Sequence, residues 1–286
     1  MSEADPFAPN DPLAGLPPPE RVNYATGVLL DAEDFRDEQT YHRARLAAVI
    51  RSMAGFGTLA GLRVRPPAQD DAERELFVDA GIAIDRIDRL VEVKTPQCIR
   101  LSRWFAAQPT ATLRAALQAG PPKAIVIDVF LSARDCARGK TPAFATGPFD
   151  ALDAVVPARL AESALLELVP RAEAAPIPAP TNFWPAVDAP REEKLAAVLA
   201  SYDDLNGAVG ETFDPLGEHV AGHDPLSVLL ARVSIPVTLA VGGGAEARPQ
   251  LDPVTPVKVD NQIRPFVFLA GKWFGRAIAV EPIVQP

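Results

Sequence analysis

Proline sets the first limit on what this chain can fold into. Thirty of its 286 residues are proline, about twice the usual share of ~5%. Proline has no backbone donor and its ring clashes with the preceding helical turn, so it ends helices and interrupts sheet ladders. Short apolar runs between such breaks favour β-strands joined by stiff loops. Apolar residues make up 48% and charged residues 23%, an ordinary globular balance. A chain of this length can bury a real core as one large or two modest domains.

Residues 1–20 lack hydrophobic periodicity and are dense in proline, which predicts an extended arm. Part 21–170 follows, a helix and then a β-rich region. The helix lies in "GVLLDAEDFRDEQTYHRARLAAVIRSMAGFGTLAGLRV", Gly27–Val64. Asp31 is its expected N-cap, with Asp34 three residues on in a box-like arrangement, and Glu33 and Asp34 suit the positive end of the helix dipole. Phe35, His42, Leu46, Val49, Ile50 and Met53 fall at helical spacing and form an apolar stripe. Asp37, Glu38, Arg43, Arg45 and Arg51 lie largely off it. Gly55 and Gly57 stop the helix.

Strands are expected in "GLRVRP", in "ELFVDAGIAIDRIDRLVEV" with a turn over 85–89, and most strongly in "KAIVIDVFLSA". "IRLSRWFAAQ" reads as a strand end passing into a loop, and "ATLRAALQAG" as a short helix closed by Gly120. "ARLAESALLELVP" alternates and is read as strand. Residues 171–190 form a proline-rich connector. Residues 191–286 begin with a second, late helix in "REEKLAAVLASYDDLNGAVG", where Leu195, Val198, Leu199 and Tyr202 share a face. They end in β-runs that complete the same domain. The expected class is α+β, mainly β: a β-sandwich-like core with a long N-terminal amphipathic helix and a second late one.

The net charge of −9 gives no general attraction to phosphate backbones, which argues against a nucleic-acid partner. Cys98 and Cys136 read as two reduced thiols in preference to a disulfide. The acidic, proline-rich start predicts no signal peptide, hence synthesis and assembly in the cytoplasm. No apolar run approaches the ~20 residues of a membrane span.

Candidate chemistry is sparse. His219 and His223 stand four apart in "GEHVAGHD", a spacing that on a helix puts two imidazoles on one metal. Glu218 and Asp224 are possible oxygen ligands. Gly217 and Gly222 argue against a helix there, and no glutamate sits between the histidines as a zinc protease requires. A polar loop is the preferred reading, with the two histidines kept as weak metal candidates. "VGGGAEARP" lacks the Lys-Ser or Lys-Thr ending of a phosphate loop and reads as a flexible turn. The acid pairs Asp70-Asp71, Asp203-Asp204 and Glu192-Glu193 fall in loops or helix starts, no serine sits in a nucleophile elbow, and His42 reads as a packed side chain. No catalytic residue, cofactor or metal is implied.

Three blocks of the chain resemble a family of proteins encoded with phage tail-like contractile injection systems. The first block carries Leu29, Leu30, Asp34, Phe35, Glu38, Gln39, Tyr41, Arg45, Gly55, Gly57, Gly61, Leu62 and Val64. The second is similar to the family's hairpin through Gly81, Ala83, Asp85, Leu90 and Val93. The third is similar to its Asn-x-x-Arg element through Asn261 and Arg264. The match covers about half of the chain. Phe56 stands where the family usually has Trp or His, Ala60 where it has Cys, and Ile87-Asp88 where a glycine is usual.

The resemblance implies a non-enzymatic structural subunit at or near the baseplate of such a particle, oligomeric in the assembly. Its partners would be baseplate, sheath or tube proteins, and release of the finished particle from the cell would be open to it. Phe35, Tyr41, Leu46 and Ile50 are the residues expected to meet a partner. The alternative is a β-sandwich binding module on the same particle, recognising a cell surface, glycan or effector. A metalloenzyme using His219 and His223 is the third reading.

Overall fold

Asp31 starts the first helix, α1 (Ala32–Met53), as its residue type requires. Its Oδ1 accepts the backbone N–H groups of Glu33 at 2.7 Å and Asp34 at 3.3 Å, while Asp34 Oδ2 accepts the N–H of Asp31 at 2.8 Å. The reciprocal box satisfies donors that the first helical turn leaves open. This computed structural model describes residues 11–15, 17–53, 55–68, 71, 73–142, 155–173, 175–180, 189–203, 216–239 and 247–267.

After α1 come β1 (Gly57–Gly61), β2 (Val64–Arg65), β3 (Glu75–Val78), β4 (Gly81–Ile84), β5 (Leu90–Val93) and β6 (Gln97–Arg100). They form two antiparallel three-stranded sheets, β1-β4-β5 and β2-β3-β6. The expected turn over 85–89 joins β4 to β5. Asp85 holds it by accepting the N–H groups of Ile87 and Arg89 on Oδ1 and Arg89 Nε on Oδ2.

"IRLSRWFAAQ" departs from the expected strand end and loop. β6 runs directly into α2 (Leu101–Ala107), followed by α3 (Thr110–Ala115). Leu101 and Phe105, one helical turn apart, are buried, and that tertiary burial stabilises a turn too short to stand alone. α3 ends before Gly120, because the chain first enters β7 (Leu117–Gln118), which pairs with β8 (Ala124–Arg138).

β8 leads to the short pair β9 (Thr141–Pro142) and β10 (Val155–Val156), then to β11 (Arg159–Pro170). The late helix is α4 (Arg191–Asp203), and β12 (Val228–Thr238), β13 (Gln250–Leu251) and β14 (Lys258–Asp260) follow. The largest sheet runs β11-β8-β12-β13, with β14 also on β12. "ARLAESALLELVP" is thus a strand, in register with β8 from Arg159 opposite Arg138 to Pro170 opposite Ile127. The side chains of Met53, Val198 and Tyr202, residues 1–10 of the arm, Asp70 and Asp204, the glycines of "VGGGAEARP" and the end of the chain lie outside the described residues.

The fold is α+β and mainly β. One face of the largest sheet, through Ile125, Ile127, Val129, Leu131, Val233 and Ile235, shares a buried core with Val64, Leu76, Val78, Val91 and Val93 of the two small sheets and Leu101, Phe105 and Leu113 of the short helices. β8 and β12 are buried on both faces over much of their length, which explains their unbroken apolar runs. Their second face carries Asp128, Phe130 and Arg232 and is covered by the segments that follow β11 and precede β12. No helix among the described residues is long and apolar enough to cross a membrane. Cys98 on β6 and Cys136 on β8 are exposed, free thiols.

Candidate functional site

His219 and His223 lie in turns, not on a helix, as the flanking glycines foretell. His219 stacks on Phe130 and His223 lies tilted against it on the second face of the largest sheet, with the two imidazole centroids 5.7 Å apart. His219 spends both ring nitrogens on the backbone. Nδ1 accepts the N–H of Leu216 at 3.1 Å, and Nε2 donates to the carbonyl of Ser227 at 2.9 Å. That arrangement fixes the neutral tautomer and leaves no lone pair for a metal. Neither ring nitrogen of His223 has a hydrogen-bond partner. Glu167 Oε2 stands 3.7 Å away, beyond hydrogen-bond distance. Burial pushes the His223 pKa down to about 4, helped by His219 and Arg171 and opposed by Asp224. Among the described residues no group of three or more His, Cys, Asp or Glu side chains is placed to hold a metal ion. The pair therefore reads as packing for Phe130.

Beside it lies a polar knot the sequence reading missed. Asp128, fully buried in the middle of β8, accepts Arg232 Nε at 2.7 Å, Arg232 Nη2 at 2.8 Å and Arg171 Nη1 at 2.9 Å. Arg171, also fully buried, reaches Glu173 and the Glu218 carbonyl as well. Arg232 adds the carbonyls of Ile177 and Pro178. These bonds clamp the first half of the proline-rich connector and the turn at Glu218 onto the sheet. The signal for it was one acid inside the apolar run "KAIVIDVFLSA", because a lone charge there must be paired.

The three resembling blocks converge in space. Asn261 brackets the backbone of Val64, its Oδ1 accepting the N–H and its Nδ2 donating to the carbonyl, each at 2.9 Å. Arg264 donates to the carbonyls of Gly61 and Leu62 and to that of Asn261. β1 is joined to the same segment, Thr58 N–H to the Pro265 carbonyl at 2.8 Å and Val267 N–H to the Thr58 carbonyl at 3.0 Å. Gly61 has φ of +66°, and a Cβ there would fall 2.2 Å from the Ala80 carbonyl oxygen; only glycine fits. Glycine corner, hairpin and Asn-x-x-Arg element thus build one clasp. These residues tie distant segments of the chain together.

The front of the first block does something else. α1 docks through its small and polar side. Ala47 packs with Leu13, Ile87 and Leu226, and Ala14 and Ala44 lie against them. Arg51 pairs with Asp88 in the β4–β5 turn at 2.5 Å, and Asp11 bridges Arg43 to Arg89. The apolar stripe faces away from the core: Phe35 is 54% exposed, Leu46 57%, Val49 51%, and Leu29 just before the helix 95%. His42 is exposed and bonded to Glu38 at 2.9 Å, so it is not the packed side chain its spacing suggested. Tyr41 and Ile50 are half-buried. Tyr41 lines a groove of about 290 Å³ with Pro17, Pro18, Arg21 and Asp37. Of the expected partner-facing residues, the structure brings Phe35 and Leu46 to one outward face, leaves Ile50 at its margin and turns Tyr41 toward Pro17 and Pro18 on the body side.

The sequence matches no protein-family model and no curated protein.

Proposed function

We propose that this chain is a non-enzymatic structural subunit of a phage tail-like contractile injection particle, built in at or near the baseplate. One observation carries the reading. α1 is held to the body by alanines and ion pairs, while Phe35, Leu46 and Val49 point into solvent. A helix normally buries its apolar stripe against its own core. Large apolar side chains grouped on an outward face mark an interaction site. The resemblance supplies the kind of assembly, and Leu29, Phe35, Glu38 and Gln39, which help to carry it, are residues for which the clasp and the core have no use.

The test is incorporation. The tagged chain is expressed with its neighbouring open reading frames and large particles are collected by sedimentation. The chain is expected to travel with sheath and tube proteins, and Leu46→Glu to leave it in the soluble fraction while its melting temperature stays unchanged. Leu46→Glu incorporated at the wild-type level would sink the proposal. Particles that assemble fully without the chain would favour the binding-module alternative.

A further inference from the structure

The outward face of α1 has the spacing of a coiled-coil seam, and we infer that its occupant is α1 of a second copy of this chain, paired parallel about a two-fold axis. The inference rests on reading that face as an assembly surface and names the partner.

Phe35, His42 and Val49 recur every seven residues, and Gln39 and Leu46 recur four residues after the first two, with Met53 next in the series. These are the d and a positions of a heptad. The residues turned to the body, Thr40, Tyr41, Ala44, Ala47, Ala48 and Arg51, occupy b, c and f, the opposite side. A free helical side with this repeat suits a second helix laid along it.

Charge selects the partner and its direction. In a parallel pair, each g residue faces the e residue five positions on in the other helix. Glu38, which also holds His42 of its own chain, then faces Arg43 of the second copy, twice by symmetry, and Asp31, whose Oδ1 caps the helix, faces Arg36 in the same way. Arg45 faces Ile50, so no like charges meet between Ala32 and Met53. Run antiparallel with the d residue His42 against the a residue Leu46, the e rows would bring Arg43 against Arg43 on the axis. Arg43 keeps Asp11 as its own partner, and a guanidinium has donors for a second carboxylate. The polar pair Gln39 and His42 lies inside the seam, where polar residues set register and cost strength. The helix is about 33 Å long, and so short a seam stays under the roughly 800 Å² per partner of a stable interface. The dimer is therefore weak in isolation and fitted to a crowded assembly, where local concentration is high.

The test uses the full chain with Cys98→Ser and Cys136→Ser, so that no native thiol competes. Two variants of it, Phe35→Cys and Val49→Cys, are given different tags, mixed and oxidised mildly. A parallel two-fold seam brings like positions together within disulfide reach. The expected products are 35–35 and 49–49 dimers, without a mixed 35–49 species and lost when Leu46→Glu is added. A mixed 35–49 product as the main species overturns the parallel pairing, and chains that remain monomeric at every concentration overturn self-pairing altogether. If the chain stays monomeric yet Leu46→Glu still drops it from the particle, the assembly reading stands and only the partner named here is wrong. If Leu46→Glu enters the particle normally, the assembly reading itself is lost.

Discussion

Two buried titratable residues pull stability in opposite directions with pH. Burial lowers the His223 pKa from its ordinary 6.5 to about 4. The unfolded chain then binds the proton first, so this contribution is complete above pH 6.5 and is lost as pH falls toward 4. Burial raises the Asp88 pKa from 3.8 to about 6, outweighing Arg51, and Asp85 adds to the rise. Here the folded chain binds the proton first, so the contribution is complete below 3.8 and is lost as pH rises to 6. Between pH 4 and 6 the two slopes offset each other. His223→Phe is expected to leave a stability that falls as pH rises through that window. Asp88→Asn is expected to leave one that falls as pH drops. Urea titrations at half-unit steps of pH read both, and two parallel curves would refute the assignment. Asp128 gives a larger effect. Asp128→Ala leaves fully buried Arg171 with Glu173 as its remaining carboxylate and takes from Arg232 the carboxylate it holds, and should cost about 3 kcal/mol in the same assay.

Between elements, the clasp is the part most sensitive to small changes. Gly61→Ala forces a Cβ to within 2.2 Å of the Ala80 carbonyl oxygen at positive φ, and should cost about 3 kcal/mol or more by thermal unfolding. Arg264→Ala removes the donors that satisfy the Gly61 and Leu62 carbonyls and should cost about 2 to 3 kcal/mol. By contrast, Val49→Glu on the outward face of α1 should change stability by less than about 0.5 kcal/mol, while abolishing the 35–35 crosslink of the Phe35→Cys chain. These elements differed in how far the sequence revealed them. The start of α1 was legible because capping is local, Asp31 and Asp34 being three residues apart. α2 was not, because "LSRWFAA" becomes a helix only when Leu101 and Phe105 enter a core drawn from both layers.

At the scale of the whole molecule, a mainly β body carries one helix mounted with its apolar side outward. The strands and the body-facing side of α1 hold the fold, and the free side is the surface proposed for assembly. Sedimentation of native particles and the crosslinking pattern address those two statements separately. The sequence by itself determined what local chemistry decides: the strands of alternating or β-branched residues, the helix with its cap and period, the breaks at proline and glycine, and the turn at 85–89. Only the tertiary structure decided which side of α1 meets the body, that His219 would be saturated by backbone groups, and that Asp128 would gather Arg171 and Arg232. It also brought Asn261 to Val64, 197 residues away in the chain. Each of those depends on which distant segments share a buried volume, and residue spacing along the chain carries no record of that choice.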